Sequence, residues 1–359
     1  HCWPRPAYDD GEDLPDQAIA RWGASLLDGE LPLDERFFLA LGFYRPHAPW
    51  HVPTRYFDLY PADSIQVPSF MREQQDRHDL TVLGCRAMRT ERLKDAEGNI
   101  LTGAAWETAM RQILRAYLAS VSFVDEQLGV VLDAVERRRA QGDRVVVVLL
   151  SDHGYFLGEK LGTQKQKLFE PAARAPLIIS DPLGAQDVDC ERVVSLLDVY
   201  PTVLEMAGIR PTGPLDGESL VPLVRDPQAP RDRPAITSFS YAAYVDAGSE
   251  VAAGCAAGDP STARDDVTRT PITPPRPSPA DPRAGMSFSI RNERYRYHWY
   301  ALEGLFEGPG GAAPLHEELY DLDDDPDERV NLLHPTVLTP AARTIADRLH
   351  RELMSRVAV

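Results

Sequence analysis

The stretch R-V-V-V-V-L-L-S-D-H-G-Y-F-L-G-E-K, residues 144–160, decides how this chain is read. Six consecutive branched apolar residues, Val145 to Leu150, form the pattern of a strand buried on both faces. Parallel sheets flanked by helices are built from such runs. Polarity then changes abruptly at Ser151, Asp152, His153 and Gly154. In open α/β sheets, ligands bind outside the carboxyl ends of the strands. Asp152 and His153 therefore stand where a site is expected, and a carboxylate beside an imidazole offers oxygen and nitrogen donors to a divalent cation. The same residues also suit an ordinary strand-end Asp that caps the next turn, with the histidine exposed.

Upstream, apolar residues from Met110 to Val135 recur in steps of three and four, including Ile113, Tyr117, Val121, Leu128 and Leu132. That period predicts a long helix over 107–139 with one apolar face. Three arginines and Gly142 supply its stop. Residues 54–106 read as an irregular surface excursion. R-F-F-L-A-L-G-F at 36–43 reads as a buried strand, and D-Q-A-I-A-R-W-G-A-S-L-L-D at 16–28 as a short amphipathic helix. Between them and the long helix lies the turn R-P-H-A-P-W-H-V-P, 45–53. Pro46 and Pro49 restrict the backbone around His47, which helps to preorganise its side chain. His51 is a competitor, and a plain surface histidine is the simpler reading of either.

Downstream, Lys165 lies in G-E-K-L-G-T-Q-K-Q-K-L-F-E. A lysine near a metal can hold an anionic oxygen as a point charge; the competing reading is a solvated lysine in a run that also holds Lys160 and Lys167. P-L-I-I-S at 176–180 reads as a second buried strand, and 193–209 as a loop into a helix ended by Gly208. Alternating strands and helices from about 36 to 209 predict an α/β fold. Residues 231–285 read as a linker with a Pro-rich insertion at 253–285. Alternation over 286–304 predicts a β-hairpin turning near Arg291–Glu293, and a last helix is expected from about 338 to 357. The acidic run 322–328 lacks the glycine and terminal glutamate of an EF-hand loop and reads as a solvated turn. Three units follow: 1–230 as part of an α/β core, 231–285 as linker, and 286–359 as a C-terminal subdomain.

The chain has 359 residues, 43% of them hydrophobic, with a formal net charge of -17. An acidic surplus argues against nucleic acid, whose phosphates need a basic face, and against anionic membranes. Cys2, Cys85, Cys190 and Cys255 show no C-x-x-C spacing, so zinc is not expected, while one or two disulfides remain open. H-C-W-P-R-P at the start has no signal-peptide pattern and reads as mid-protein sequence, a processed or truncated start.

Together these segments resemble the sulfatase family, and more narrowly its iduronate-2-sulfatase branch. F-F-L-A-L-G-F-Y-R-P-H-A-P-W-H-V-P resembles the strand and the K/R-P-H turn of that branch. V-V-V-V-L-L-S-D-H-G-Y-F-L-G-E-K followed by K-L-F-E-P-A-A-R-A-P-L-I-I-S is similar to a sulfatase signature. S-F-S-I-R-N-E-R-Y-R-Y-H-W and E-L-Y-D-L-D-D-D-P-D-E-R-V-N-L resemble the C-terminal subdomain. The implied fold is the alkaline-phosphatase/sulfatase type, a mixed, mostly parallel sheet flanked by helices with a small C-terminal α+β subdomain.

The resemblance also implies roles. Asp152 and His153 match two ligands of a single Ca²⁺. Lys165, four residues before Phe169, matches a lysine that contacts the sulfate. His47 matches a histidine that contacts the sulfate and helps the leaving group. The family's paired-aspartate strand and its C-x-P-x-R segment, whose cysteine becomes the formylglycine nucleophile, do not occur in these 359 residues; in C-W-P-R the arginine comes one residue too early. The expected function is hydrolysis of a sulfate ester on a sulfated carbohydrate, with an N-terminal chain of the same precursor as a partner. A secretory or lysosomal setting is implied. The alternative is a catalytically inactive sulfatase remnant that acts as a binding protein, and a related two-metal phosphohydrolase would need more Asp and His ligands than one D-H pair.

Overall fold

The computed structural model describes residues 14–71, 93–95, 98–165, 167–240, 286–300 and 317–357. The insertion at 253–285, the N-terminal thirteen residues, and Cys2, Cys85 and Cys255 lie outside the described residues. The elements in chain order are α1 (Pro15–Leu27), α2 (Thr54–Asp58), α3 (Gly103–Ala140), β1 (Val147–Leu150), β2 (Phe156–Leu157), β3 (Thr163–Gln164), α4 (Glu170–Ala173), β4 (Leu177–Ser180), α5 (Val199–Met206), α6 (Val221–Arg225), β5 (Ala235–Ser240), β6 (Met286–Arg291), β7 (Tyr295–Tyr300), β8 (Glu317–Asp321) and α7 (Pro340–Val357). Helix and sheet are mixed, as the α/β reading requires. No described helix is long and apolar enough to cross a membrane.

Helix α3 is the spine, and its sequence explains its reach. Ala109, Met110, Ile113, Ala116, Ala119, Ser120, Phe123 and Gln127 are buried along one seam. Alanines at the contact let α1 and the 50–71 segment approach closely. Trp50, Val52, Tyr56, Phe57, Val67 and Met71 pack there, so the first part of the expected surface excursion belongs to the core. The seam lies to one side of the apolar face read from sequence, and Val121 and Leu132 are exposed. Gly142 at φ 100 ends the helix, in the left-handed region that favours glycine.

The run at 145–150 does form a strand, but its pairing corrects the expectation. β1 pairs with β4 antiparallel, with Val147 opposite Ser180 and Leu150 opposite Leu177. Among the described residues β1 and β4 make a two-stranded sheet with no parallel neighbour. Neither strand is buried on both faces: Leu150 is 41% exposed and Ile178 56%. Residues 36–43 also differ, forming no strand ladder among the described residues. They keep a strand's alternation, with Phe37 and Leu39 packed on a cluster of Ala24, Ala134, Val135 and Val145 while Phe38 is 79% exposed. Alternation reports which side faces a core; a ladder needs a second backbone as well.

The C-terminal part is a four-stranded antiparallel sheet in the order β5-β6-β7-β8. The hairpin β6–β7 turns at 292–294, where the Asn292 side chain accepts from the backbone N–H of Arg294 and Tyr295. β5 falls within the segment read as linker and pairs along β6 from Ala235–Arg291 to Ser240–Met286. Helix α7 lays Ala342, Ala346, Leu349 and Leu353 on the sheet against Phe288, Ile290, Tyr297 and Leu319. A smaller cluster of Phe156, Phe169, Ala172 and Tyr320 joins this sheet to the segment after β1.

Candidate active site

Asp152 and His153 sit in the loop that follows β1. The Ser151 N–H donates to the Pro176 carbonyl at 3.2 Å, so the β1–β4 pairing carries the chain up to the site. The Gly154 N–H donates to the Ala172 carbonyl at 2.7 Å, which ties the loop to α4. A Cβ at Gly154 would lie 2.1 Å from the Pro171 oxygen and 2.7 Å from that of Arg174, so only glycine allows this approach. Asp152 points outward with its side chain 81% exposed. His153 Nδ1 lies 2.7 Å from the Gly154 carbonyl oxygen. A carbonyl only accepts, so Nδ1 carries a proton and Nε2 is the ring atom turned toward Asp152. The Nε2 atom lies 3.4 Å from Asp152 Oδ2.

These residues fit one shared cation as two of its donors, with the backbone carbonyl fixing the imidazole tautomer. They do not complete a shell. Among the described residues no three His, Cys, Asp or Glu side chains converge to hold a metal ion, whereas Ca²⁺ takes about 6–8 oxygens.

The His47 turn is held from a different element. Asp16 in α1 is buried, and its two carboxylate oxygens accept from the backbone N–H of Tyr44 at 2.8 Å and Arg45 at 3.0 Å. Trp50 Nε1 donates to the Pro46 carbonyl at 2.9 Å, and the Tyr44 hydroxyl to that of Ala48 at 3.0 Å. The Arg45–Pro46 and Ala48–Pro49 peptide bonds are both cis. His47 is exposed at the apex, 4.8 Å from the Tyr44 ring. The competitor His51 instead lends its carbonyl to the Arg45 guanidinium at 3.0 Å.

The lysine run resolves into separate roles. Lys160, at φ 50, lies 4.4 Å over the Phe169 ring and donates to the Glu328 carbonyl. Lys167 is buried with its ammonium 4.1 Å over the Phe156 ring. Lys165 stays half-buried on the bend between β3 and α4. Among the described residues, no hydrogen bond or ion pair links His47 or Lys165 to the Asp152–His153 pair. The connection runs through the scaffold: Trp50 stands edge-on to Tyr155 at 6.0 Å, and α4 joins the two loops on the other side.

Sequence reasoning missed the groups that grip α4 from the C-terminal sheet. Arg296 on β7 is buried and donates Nη1 to the Leu168 carbonyl at 2.8 Å and Nη2 to the Glu170 carboxylate. Its Nε lies 2.8 Å from Glu328 Oε1. Glu328 is fully buried at φ 55, and its Oε2 accepts the Glu170 N–H at 2.8 Å. The acidic run is therefore solvated only up to its last residue. Next to it, His298 is enclosed, with Nδ1 3.0 Å from Glu318 Oε2, and burial holds it well below the usual imidazole range. The missed signal lay in R-Y-R-Y-H-W, where Arg296 and His298 share one face of a strand whose other face is aromatic. Cys190 is a free, exposed thiol.

The sulfatase family model matches residues 3–209. A sulfatase of Formosa agariphila is 36% identical over 236 residues, covering 65% of this chain and 45% of the relative. Iduronate 2-sulfatase of Mus musculus is 29% identical over 183 residues, covering 47% of this chain and 31% of that protein. The matches thus span less than half the length of these relatives. In fold, the chain is similar to a phosphonate monoester hydrolase of Agrobacterium radiobacter, with a TM-score of 0.68 at 23% identity, over 98% of this chain and 62% of that one.

Proposed function

The chain belongs to the sulfatase family, and on that premise we propose that it supplies part of the metal and sulfate site of a sulfuric ester hydrolase. The reaction is R–O–SO₃⁻ plus water giving alcohol and sulfate. The substrate class is a sulfated sugar, and the functional type is iduronate-2-sulfatase-like, in keeping with the similarity to iduronate 2-sulfatase of Mus musculus. One observation carries the metal half of this reading. His153 Nε2 and Asp152 Oδ2 face each other across 3.4 Å, with the Nδ1 proton given to the Gly154 carbonyl. That arrangement is favourable when positive charge lies between them.

In this reading Asp152 and His153 are two ligands of Ca²⁺, and the remaining donors come from a segment carrying paired aspartates. Bound Ca²⁺ supplies positive charge against the charge that develops on the sulfuryl oxygens. Lys165 holds one of those oxygens as a point charge, and Lys160 and Lys167, engaged with aromatic rings, leave that task to it. His47, exposed on a turn fixed by Asp16, contacts the sulfate and gives a proton toward the leaving alcohol oxygen. The nucleophile belongs to the C-x-P-x-R segment, so the partner is an N-terminal stretch of the same precursor.

The test is made on the gene product that includes that upstream stretch, assayed on a 2-sulfated uronic acid disaccharide and an aryl sulfate. Asp152→Ala is expected to lower kcat/KM by more than about a hundredfold. Full activity in that variant would remove Asp152 from the metal site. A wild-type product that hydrolyses neither ester would be the inactive, anion-binding remnant instead.

A further inference from the structure

Both halves of the proposed site hang on one short helix. The Asp152–His153 loop is bound to α4 through the Gly154 N–H and the Ala172 carbonyl at 2.7 Å. The segment carrying Lys165 runs straight into α4 through Leu168 and Phe169. A helix of four residues has too little internal bonding to stand alone. Its N-terminal N–H, that of Glu170, is taken by Glu328, 158 residues away in sequence. Its first carboxylate and the preceding Leu168 carbonyl are both taken by the guanidinium of Arg296. Lys160 closes the ring by reaching the Glu328 carbonyl from the tip of the β2–β3 hairpin.

We infer that Arg296 and Glu328 are positioning residues of the candidate active site, holding α4 so that the Asp152–His153 loop and Lys165 keep their places. Their relation to sulfate chemistry rests on the function proposed above; their grip on α4 does not. Arg296 donates to Leu168 O and to the Glu170 carboxylate while its Nε lies within ion-pair distance of Glu328 Oε1, an arrangement that a planar fork holds and a lysine ammonium on a flexible stem does not reproduce. Glu328 needs an acceptor oxygen at Oε2 to keep the Glu170 N–H. The C-terminal sheet thereby acts on a site to which it lends no ligand.

Amide hydrogen exchange on the full 359-residue chain reads this directly. In Arg296→Lys and Glu328→Ala, exchange at the Gly154 and Glu170 amides is expected to rise by about tenfold or more, with α3 still protected. Glu328→Gln keeps an acceptor oxygen and is expected to restore the Glu170 amide to within about threefold of wild type. Unchanged exchange at 154 and 170 in both disruptive variants would overturn the proposal. So would equal loss of protection in α3, which would make the pair a general core contact, and so would failure of Glu328→Gln to restore the amide. Lys165→Ala separates the two readings: lost sulfatase activity in the upstream-extended product bears on the site, and exchange at 154 and 170 is expected to stay as in wild type.

Discussion

Glu328 shows how far one side chain can depart from its sequence neighbourhood. It closes an acidic run yet is fully buried in the left-handed backbone region. Burial raises its carboxyl from 4.5 to about 7, against the pull of Arg296, the Glu170 N–H and Lys160. Between those two values the folded chain keeps a proton that the unfolded chain releases, so stability falls as pH rises through the window. The contribution is fully present below about pH 4.5 and is lost once pH passes about 7, a swing of roughly 3 kcal/mol. Glu328→Gln removes the ionisation and keeps the shape. Urea unfolding at pH 5 and pH 8 is therefore expected to show the variant gaining on wild type by about that amount at the higher pH. Parallel stability curves would mean that Glu328 is ionised across the whole range.

At the scale of elements, the turn at 44–50 owes its shape to a residue on another element. Asp16 is in α1, yet its carboxylate satisfies two backbone N–H groups at Tyr44 and Arg45. Asp16→Ala leaves both donors without their acceptor, at a cost of roughly 2–3 kcal/mol. Faster amide exchange at Tyr44 and Arg45 and a lowered unfolding midpoint are expected, with Asp16→Asn falling between; an unchanged midpoint and unchanged exchange would detach His47 from α1. Such dependence marks what could and could not be read from sequence. The long helix, the 286–300 hairpin and α7 are legible because their periods are local. Residues 36–43 and 145–150 state an appetite for burial, but pairing is set by strands that adjoin them in space, so a run that reads as a parallel strand forms an antiparallel ladder with β4. Asp152, His153, His47 and Lys165 are legible as candidates from their flanking motifs, whereas Asp16, Arg296 and Glu328 have partners 28 to 158 residues away. No window of sequence displays such a contact.

The molecule as a whole sets the last expectation. Its family match lies within residues 3–209, and the stretch shared with the Formosa agariphila sulfatase is 45% of that protein. In the proposed site Asp152 and His153 are the two cation ligands, and no third His, Cys, Asp or Glu converges on them among the described residues. Two donors of the six to eight that Ca²⁺ prefers should give binding no tighter than about millimolar. The sequence contains no C-x-P-x-R segment, so the family's nucleophile has no residue to form from. The β1–β4 sheet exposes Leu150 and Ile178, apolar residues of the kind that neighbouring strands and helices cover. These observations converge on one outcome: the 359-residue chain by itself is expected to turn over no aryl sulfate, with or without millimolar Ca²⁺. The assay follows phenol release from p-nitrophenyl sulfate at pH 5 and pH 8. Turnover above background that vanished in Asp152→Ala would locate a nucleophile among the residues present and end the dependence on an upstream segment. Background rates in the chain alone, with activity restored when the upstream segment is supplied, would make assembly of the two parts the step that creates the enzyme.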